Sequence, residues 1–247
     1  MMNKKLILGL VCLVGAAAAL AYDVKFNYVD WRTADRSSSG LAPLPKAEKE
    51  AVVQIYAART YNWRKYFAVH SWIATKEKNA PAYTIYQVLG FKLWRSGNAV
   101  EIKKDIPDRK WYGASPELLY DLRGEAAERA IPAIQKAAEA YPYAGEYVVF
   151  PGPNSNTFIA YIIRNVPELV CELPPTALGK DFLGYDRYWA KSESKTGYQF
   201  SIRGLFGFTA GLDEGIELNI AGLVFGIDFL RPALKLPFIG RIGMKEA

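Results

Sequence analysis

Between residues 51 and 102 the chain is cut into four short runs rich in Val, Ile and Tyr, at 51–58, 66–75, 83–89 and 99–102. Turn-formers separate them, at Asn62, Asn79-Ala80-Pro81 and Ser96-Gly97-Asn98. β-Branched and aromatic side chains fit a pleated surface, and short runs with turn chemistry between them predict a meander of antiparallel strands. The first run could instead continue a helix begun at Lys46.

The period then changes. Ser115-Pro116-Glu117 puts a cap residue before a proline at the first helical position, which predicts a short helix to about Arg123. Over 125–140, Ala127, Ala130, Ile131, Ile134 and Ala138 share one stripe at helical spacing, with Pro132 kinking the helix or marking its first turn. The small residues of that stripe allow close approach to a sheet. Residues 145–150 read as a short strand ended by Pro151-Gly152-Pro153. A helix over about 155–165 should follow, burying Phe158, Ile159, Ile162, Ile163 and Val166 and bounded by Pro167.

Beyond Gly184 the composition shifts to glycine-rich strands at 197–203 and 215–225, the first alternating like a hairpin with one wet face. The stretch 229–241 mixes bulky apolar residues with Lys and Arg, and either packs as an arm on the domain or lies on a membrane surface. The pattern predicts an α+β fold: a small antiparallel sheet with packed helices over 51–183 and a β-rich extension over 184–247.

The N-terminus carries Lys4-Lys5, an apolar stretch over 6–20 and Ala19-Leu20-Ala21. Residues 1–21 therefore read as a secretory signal peptide or an uncleaved membrane anchor, and 22–50 as an extended, proline-punctuated linker. The bulk of the chain is expected outside the cytoplasm, in the periplasm or cell envelope. Cys12 follows Val11 where a lipoprotein signal needs a small residue. Removal of the leader leaves Cys171 alone, so no internal disulfide is possible, and a lone His with a lone Cys excludes a zinc-type cluster. No cofactor is expected. The net charge of +6 falls to +4 without the leader, 29 basic against 25 acidic residues, and is spread along the chain. Such a surface suits anionic phospholipid or cell-wall polymer, or is simply solvated. No nucleic-acid recognition motif is present, and export removes that partner.

His70 is the only histidine. If an imidazole does acid/base work here, it is this one; otherwise His70 is a satisfied core residue. Asn154-Ser155-Asn156-Thr157 stands where the 155–165 helix begins, and one cap would suffice where there are four. A serine nucleophile there gains from the positive end of the helix dipole, and nearby backbone N–H groups can hold an oxyanion. Ser155 is the candidate nucleophile, His70 its base, and Asn154, Asn156 and Thr157 candidates for contacting substrate. Asp108-Arg109-Lys110-Trp111 offers a substrate-binding lip, with Arg109 holding an anion beside Trp111, or a turn pinned by a local ion pair under packed aromatics. Gly179-Lys180-Asp181 lacks the frame of a phosphate loop, and Cys171 has no activating positive charge beside it.

The strings F-A-V-H-S-W-I at 67–73, P-D-R-K-W-Y-G at 107–113, Y-P-Y at 141–143, P-G-P-N-S-N-T-F at 151–158 and L-P-P-T-A-L-G-K-D at 173–181 resemble a bacterial family, domain of unknown function 3750, over about residues 32–243. More loosely, the order of elements is similar to circularly permuted papain-like NlpC/P60 enzymes. These carry a strand histidine early, a polar residue on the next strand, and an Asn-Cys-x-x-Phe nucleophile at a helix start. That resemblance implies a hydrolase or acyltransferase acting on an amide or ester of cell wall or lipid. In it His70 matches the histidine, Gln87 or Tyr86 the orienting residue, and Asn154-Ser155-Asn156-Thr157-Phe158 the nucleophile segment with serine replacing cysteine. The rival expectation is a non-catalytic envelope protein whose degenerate pocket binds a ligand or partner.

Overall fold

The computed structural model describes residues 15, 22–23 and 28–244, so the signal or anchor expected over 1–21 lies, Gly15 apart, outside the described residues. Strand β1 (Val52–Arg59) pairs antiparallel with β2 (Val69–Lys76) on one side and β5 (Glu117–Arg123) on the other. Beyond β2 lie β3 (Thr84–Val88) and β4 (Val100–Lys104), joined by the helical turn α1 (Leu93–Ser96), giving the order β4-β3-β2-β1-β5. The first run is thus a strand and continues no helix. Both faces of β1 are covered, which is why it reads as a continuous apolar run. Val53, Ile55 and Ala57 meet α2 (Gly124–Glu139) and α3 (Ser155–Asn165), while Val52, Tyr56 and Ala58 join Trp72, Ile85 and Trp111 under loops.

Those loops include the predicted linker. Buried Asp108 accepts from Ser38 Oγ at 2.8 Å, Leu41 N–H at 2.6 Å and Ala42 N–H at 3.2 Å, and Tyr83 Oη donates to the Pro43 carbonyl at 2.9 Å. Residues 38–43 bend at Gly40 and Ala42 and are fastened to the sheet by these bonds.

Two local expectations fail for non-local reasons. Residues 117–123 form β5, not a helix, because they add a strand to the open side of β1 with a bulge between Ile55 and Tyr56. The bulge shifts the phase, sending Leu118 to one core and Leu119, Tyr120 and Leu122 to the other. Residues 145–150 find no strand partner and run as turns and bends into Pro151 and Pro153, both preceded by cis peptide bonds. Pro132 lies inside α2, on an exposed position, well past the first turn. Among the described residues no helix is long and apolar enough to cross a membrane.

The C-terminal region is a second antiparallel sheet of seven strands in sequential order: β6 (Trp189–Lys191), β7 (Tyr198–Ile202), β8 (Phe206–Gly211), β9 (Gly215–Ile220), β10 (Leu223–Asp228), β11 (Ala233–Leu236) and β12 (Gly240–Gly243). The run 215–225 is broken by Ala221 and Gly222, both at positive φ, the two-residue turn that suits strand twist. The apolar arm at 229–241 becomes the β11–β12 hairpin. The hairpin with one wet face is present with its faces exchanged: Gln199 and Ser201 are buried, while Tyr198 and Ile202 are exposed.

Charges join the two sheets. Lys180 Nζ lies 2.8 Å from Glu217 and 3.7 Å from Asp181, and Lys235 bridges Glu172 and Glu217. Arg164 on α3 donates to Gln199 at 2.7 Å and pairs with Glu193 at 3.4 Å. Burial alone would lower the Lys180 ammonium and raise the Glu217 carboxyl, but their neighbours prevail: Lys180 titrates well above and Glu217 below its ordinary value. Removing one member leaves a buried charge without its partner, which typically costs about 3–5 kcal/mol. Lys235→Ala should therefore lower the unfolding free energy by an amount of that order, read as a drop in urea midpoint at unchanged denaturant slope.

Candidate functional site

The first sheet splits at one end. β2 and β3 pair only from Ile73 opposite Tyr86 to Thr75 opposite Thr84, so the start of β2 has no strand on that side. A helix start and a loop take the strand's place. The Val69 N–H donates to the Thr176 carbonyl at 3.1 Å, and the Val69 carbonyl accepts from Asn156 Nδ2 at 3.0 Å. Ser71 Oγ donates to Asn156 Oδ1 at 2.8 Å, and Asn156 Nδ2 also reaches the Leu178 carbonyl at 2.9 Å. One amide thus fixes the beginning of α3 on either side of His70.

The other cap-formers are committed as fully. Asn154 Oδ1 accepts the N–H groups of Asn156 at 2.9 Å and Thr157 at 3.2 Å, while its Nδ2 donates to the carbonyls of Val149 and Leu178, each at 3.0 Å. Thr157 Oγ1 closes the capping box, accepting the Asn154 N–H at 3.1 Å and donating to the Gly179 carbonyl at 2.8 Å. Asn154, Asn156 and Thr157, expected as substrate contacts, therefore spend their side-chain polar atoms on the scaffold. Ser155 is the exception. Among the described residues neither its Oγ nor its N–H has a hydrogen-bond partner, although the residue is 5% exposed. The Asn156 N–H, expected near the oxyanion, is already taken by Asn154.

Across the split, His70 Nε2 lies 3.1 Å from Gln87 Oε1. Gln87 Nε2 donates to Glu101 Oε2 at 2.7 Å, on the residue directly opposite it in β4. The carboxylate can only accept, so the amide oxygen must face the imidazole, and the imidazole proton sits on Nε2. Nδ1 is left as a lone-pair acceptor, with no hydrogen bond to it among the described residues. The ring stacks on Trp111 at a centroid distance of 3.7 Å and 13° between planes. Burial, with a smaller push from the Arg109 charge, holds the imidazole down to about 3 against the opposing hydrogen bond from Gln87.

Of the two expected orienting residues only Gln87 reaches the imidazole. Tyr86 points to the opposite face and packs in the core beneath the helices. Arg109 pairs with Asp105 at 2.7 Å and lies 5.8 Å from the Trp111 ring, so the P-D-R-K-W-Y-G string serves as a pinned turn under packed aromatics. Pro107 in the same string accepts from Trp72 Nε1 at 2.7 Å. His70 shares its face with Trp72, and α3 packs on the other, so imidazole and Ser155 belong to opposite sides of the split sheet. No hydrogen bond joins them. Glu101 and Ser71 were not among the expected residues. Glu101 stands out only once Gln87 and Glu101 are in register.

Two outcomes follow. An unfolded imidazole titrates near 6.5 and the folded one near 3, so between these values only the unfolded chain takes up the proton. Stability should fall as pH drops through that window and be indifferent to His70 above it; urea unfolding across the range should give a slope steeper in wild type than in His70→Gln by up to one proton. At Gly179, whose φ is +95°, an added Cβ would lie 2.3 Å from Asn154 Nδ2. Gly179→Ala should disturb the cap and destabilise the chain by about 1–3 kcal/mol, measured in the same way.

A family model described as protein of unknown function (DUF3750) matches residues 50–182, from the start of β1 through Lys180-Asp181 and short of the second sheet. No curated protein and no solved structure matches the chain. The matched stretch contains His70, Gln87, Glu101 and Ser155 and makes up more than half of the sequence, so the chain belongs to the DUF3750 family of proteins of unknown function.

Proposed function

We propose that this is a cell-envelope enzyme of acyl transfer, a hydrolase or acyltransferase acting on an amide or ester of cell wall or lipid. The observation that carries the reading is the pair of polar groups left over when every neighbour is bonded: Ser155 Oγ at a helix start and His70 Nδ1 on a ring held by Gln87. In this scheme Ser155 Oγ attacks the carbonyl carbon and its proton passes to Nδ1. The unpartnered Ser155 N–H donates to the oxyanion, and collapse of the intermediate expels the amine or alcohol, which takes the proton from the imidazole. Water then reverses the sequence to free the acid, or a second nucleophile accepts the acyl group. Glu101 and Gln87 are positioning residues that keep the ring in the tautomer this needs. The loose likeness to permuted NlpC/P60 enzymes, with serine in place of cysteine, supports the same order of roles. An open groove lined by Arg59, Tyr61, Asn62, Tyr66 and Tyr112 adjoins the Val69 end of β2 and is the proposed approach for substrate. The envelope location rests on the leader-like sequence of residues 1–21.

A second reading, a binding protein with a degenerate site, is favoured by two observations: no hydrogen bond joins Ser155 to the imidazole, and burial weakens His70 as a base. Labelling with a fluorophosphonate separates the readings. The enzyme reading expects labelling of the wild type that is lost in Ser155→Ala and in His70→Ala with near-ultraviolet circular dichroism unchanged, and reduced by tenfold or more in Gln87→Ala. A folded wild type that takes no label would count against the activated serine and favour the binding reading.

A further inference from the structure

The seven-stranded sheet has its polarity reversed. Its inner face carries Gln199, Ser201, Thr209, Glu217, Asn219 and Lys235, all buried against the first domain. The opposite face is apolar in every cross-strand row. One row runs Trp189, Phe200, Phe208, Leu218, Phe225, and the next runs Tyr198, Ala210, Ile216, Ile227, Leu234, Ile242, joined to Lys191 at the edge strand. Leu218, Ile216, Ile227 and Leu234 are each about half exposed. With strands about 4.8 Å apart, six spacings make this face roughly 29 Å wide, well beyond the scattered apolar residues of an ordinary soluble surface. Apolar outside and polar inside is the alternation of strands whose outer face meets lipid.

We propose that this face lies on a phospholipid bilayer, with its apolar side chains among the acyl chains and its rim among anionic headgroups. Two features select lipid over a second copy of the chain. Large apolar residues continue past the strands onto the hairpin turns at one end, with Leu212 72%, Phe229 64% and Leu230 63% exposed, where turn chemistry usually places polar residues. A flat partner sheet would end where the strands end; an acyl layer takes the tips as well. The rim is cationic: among the described residues beyond Gly184 the exposed charges are Arg187, Lys191 and Arg203 against Asp186. That balance complements an anionic membrane, whereas a second copy would bring the same cations to the contact. The proposal stands independently of the catalytic reading, because no residue of the split in the first sheet takes part.

The test uses the full chain with Cys12→Ser and Cys171→Ser, reconstituted in vesicles of phosphatidylethanolamine and phosphatidylglycerol. A nitroxide is placed in turn at Leu218→Cys and Ile227→Cys on the sheet and at Lys136→Cys on the exposed side of α2. Power-saturation electron paramagnetic resonance reads the collision of each label with oxygen and with a water-soluble nickel chelate. Both sheet labels should be reached by oxygen and shielded from nickel, and the α2 label should show the reverse; because depth is read at the sheet, an N-terminal anchor cannot produce that result. Nickel access at both sheet labels, with circular dichroism matching the unlabelled protein, would overturn the proposal. So would shielding accompanied by dipolar broadening between sheet labels, which would mean that a second copy covers the face.

Discussion

The side chain of Asn156 holds together three pieces of chain that have no secondary structure in common. Its oxygen accepts a hydrogen bond from the Ser71 hydroxyl, and its nitrogen donates to the carbonyls of Val69 and Leu178. Strand edge, helix start and loop are thereby fixed to one another at the place where the first sheet opens. A strand edge buried without partners would leave backbone groups unbonded, and each such group costs free energy on the scale of a lost hydrogen bond. Asn156 and Thr176 answer that requirement with a side-chain amide and one backbone carbonyl in place of a sixth strand. The Leu173–Asp181 loop, conspicuous in sequence for its prolines, is the mould into which the helix start fits: Thr176, Leu178 and Gly179 all present carbonyls to it or to β2.

What could be read from the sequence was what is encoded over a few residues. The helix at 155–165, the one at 125–140 and the first four strands announce themselves by period, cap and turn chemistry, and they form close to the expected bounds. The failures lie where a distant segment decides. Residues 117–123 have a good helix start and become a strand because β1 offers an open edge, and 145–150 have strand composition but no edge to join. In the second sheet the alternation was legible and its sense was not, since a period of two says which residues share a face but not which face is inside.

The site divides in the same way. Asn154 to Thr157 were conspicuous, but their number reflects three scaffold tasks and one residue left over. Gln87 and Tyr86 are neighbours in sequence and opposites in space, so strand parity decides between them. Glu101 could not be singled out before β3 and β4 were in register. Both the orientation of the amide and the tautomer of the imidazole depend on that one carboxylate.

The reversed second sheet also constrains the order of assembly. Its inner face is covered with groups that need Arg164, Glu172, Lys180 and Asp181 as partners, and among the described residues its outer face is covered by no other part of the chain. Alone, a meander of this kind has no core to collapse around. Because the chain emerges from its N-terminus, the first domain can already be complete when residues 189–243 leave the ribosome. The C-terminal strands then add to a finished template, and truncation anywhere within them leaves a surface of stranded ions where the missing strands belong.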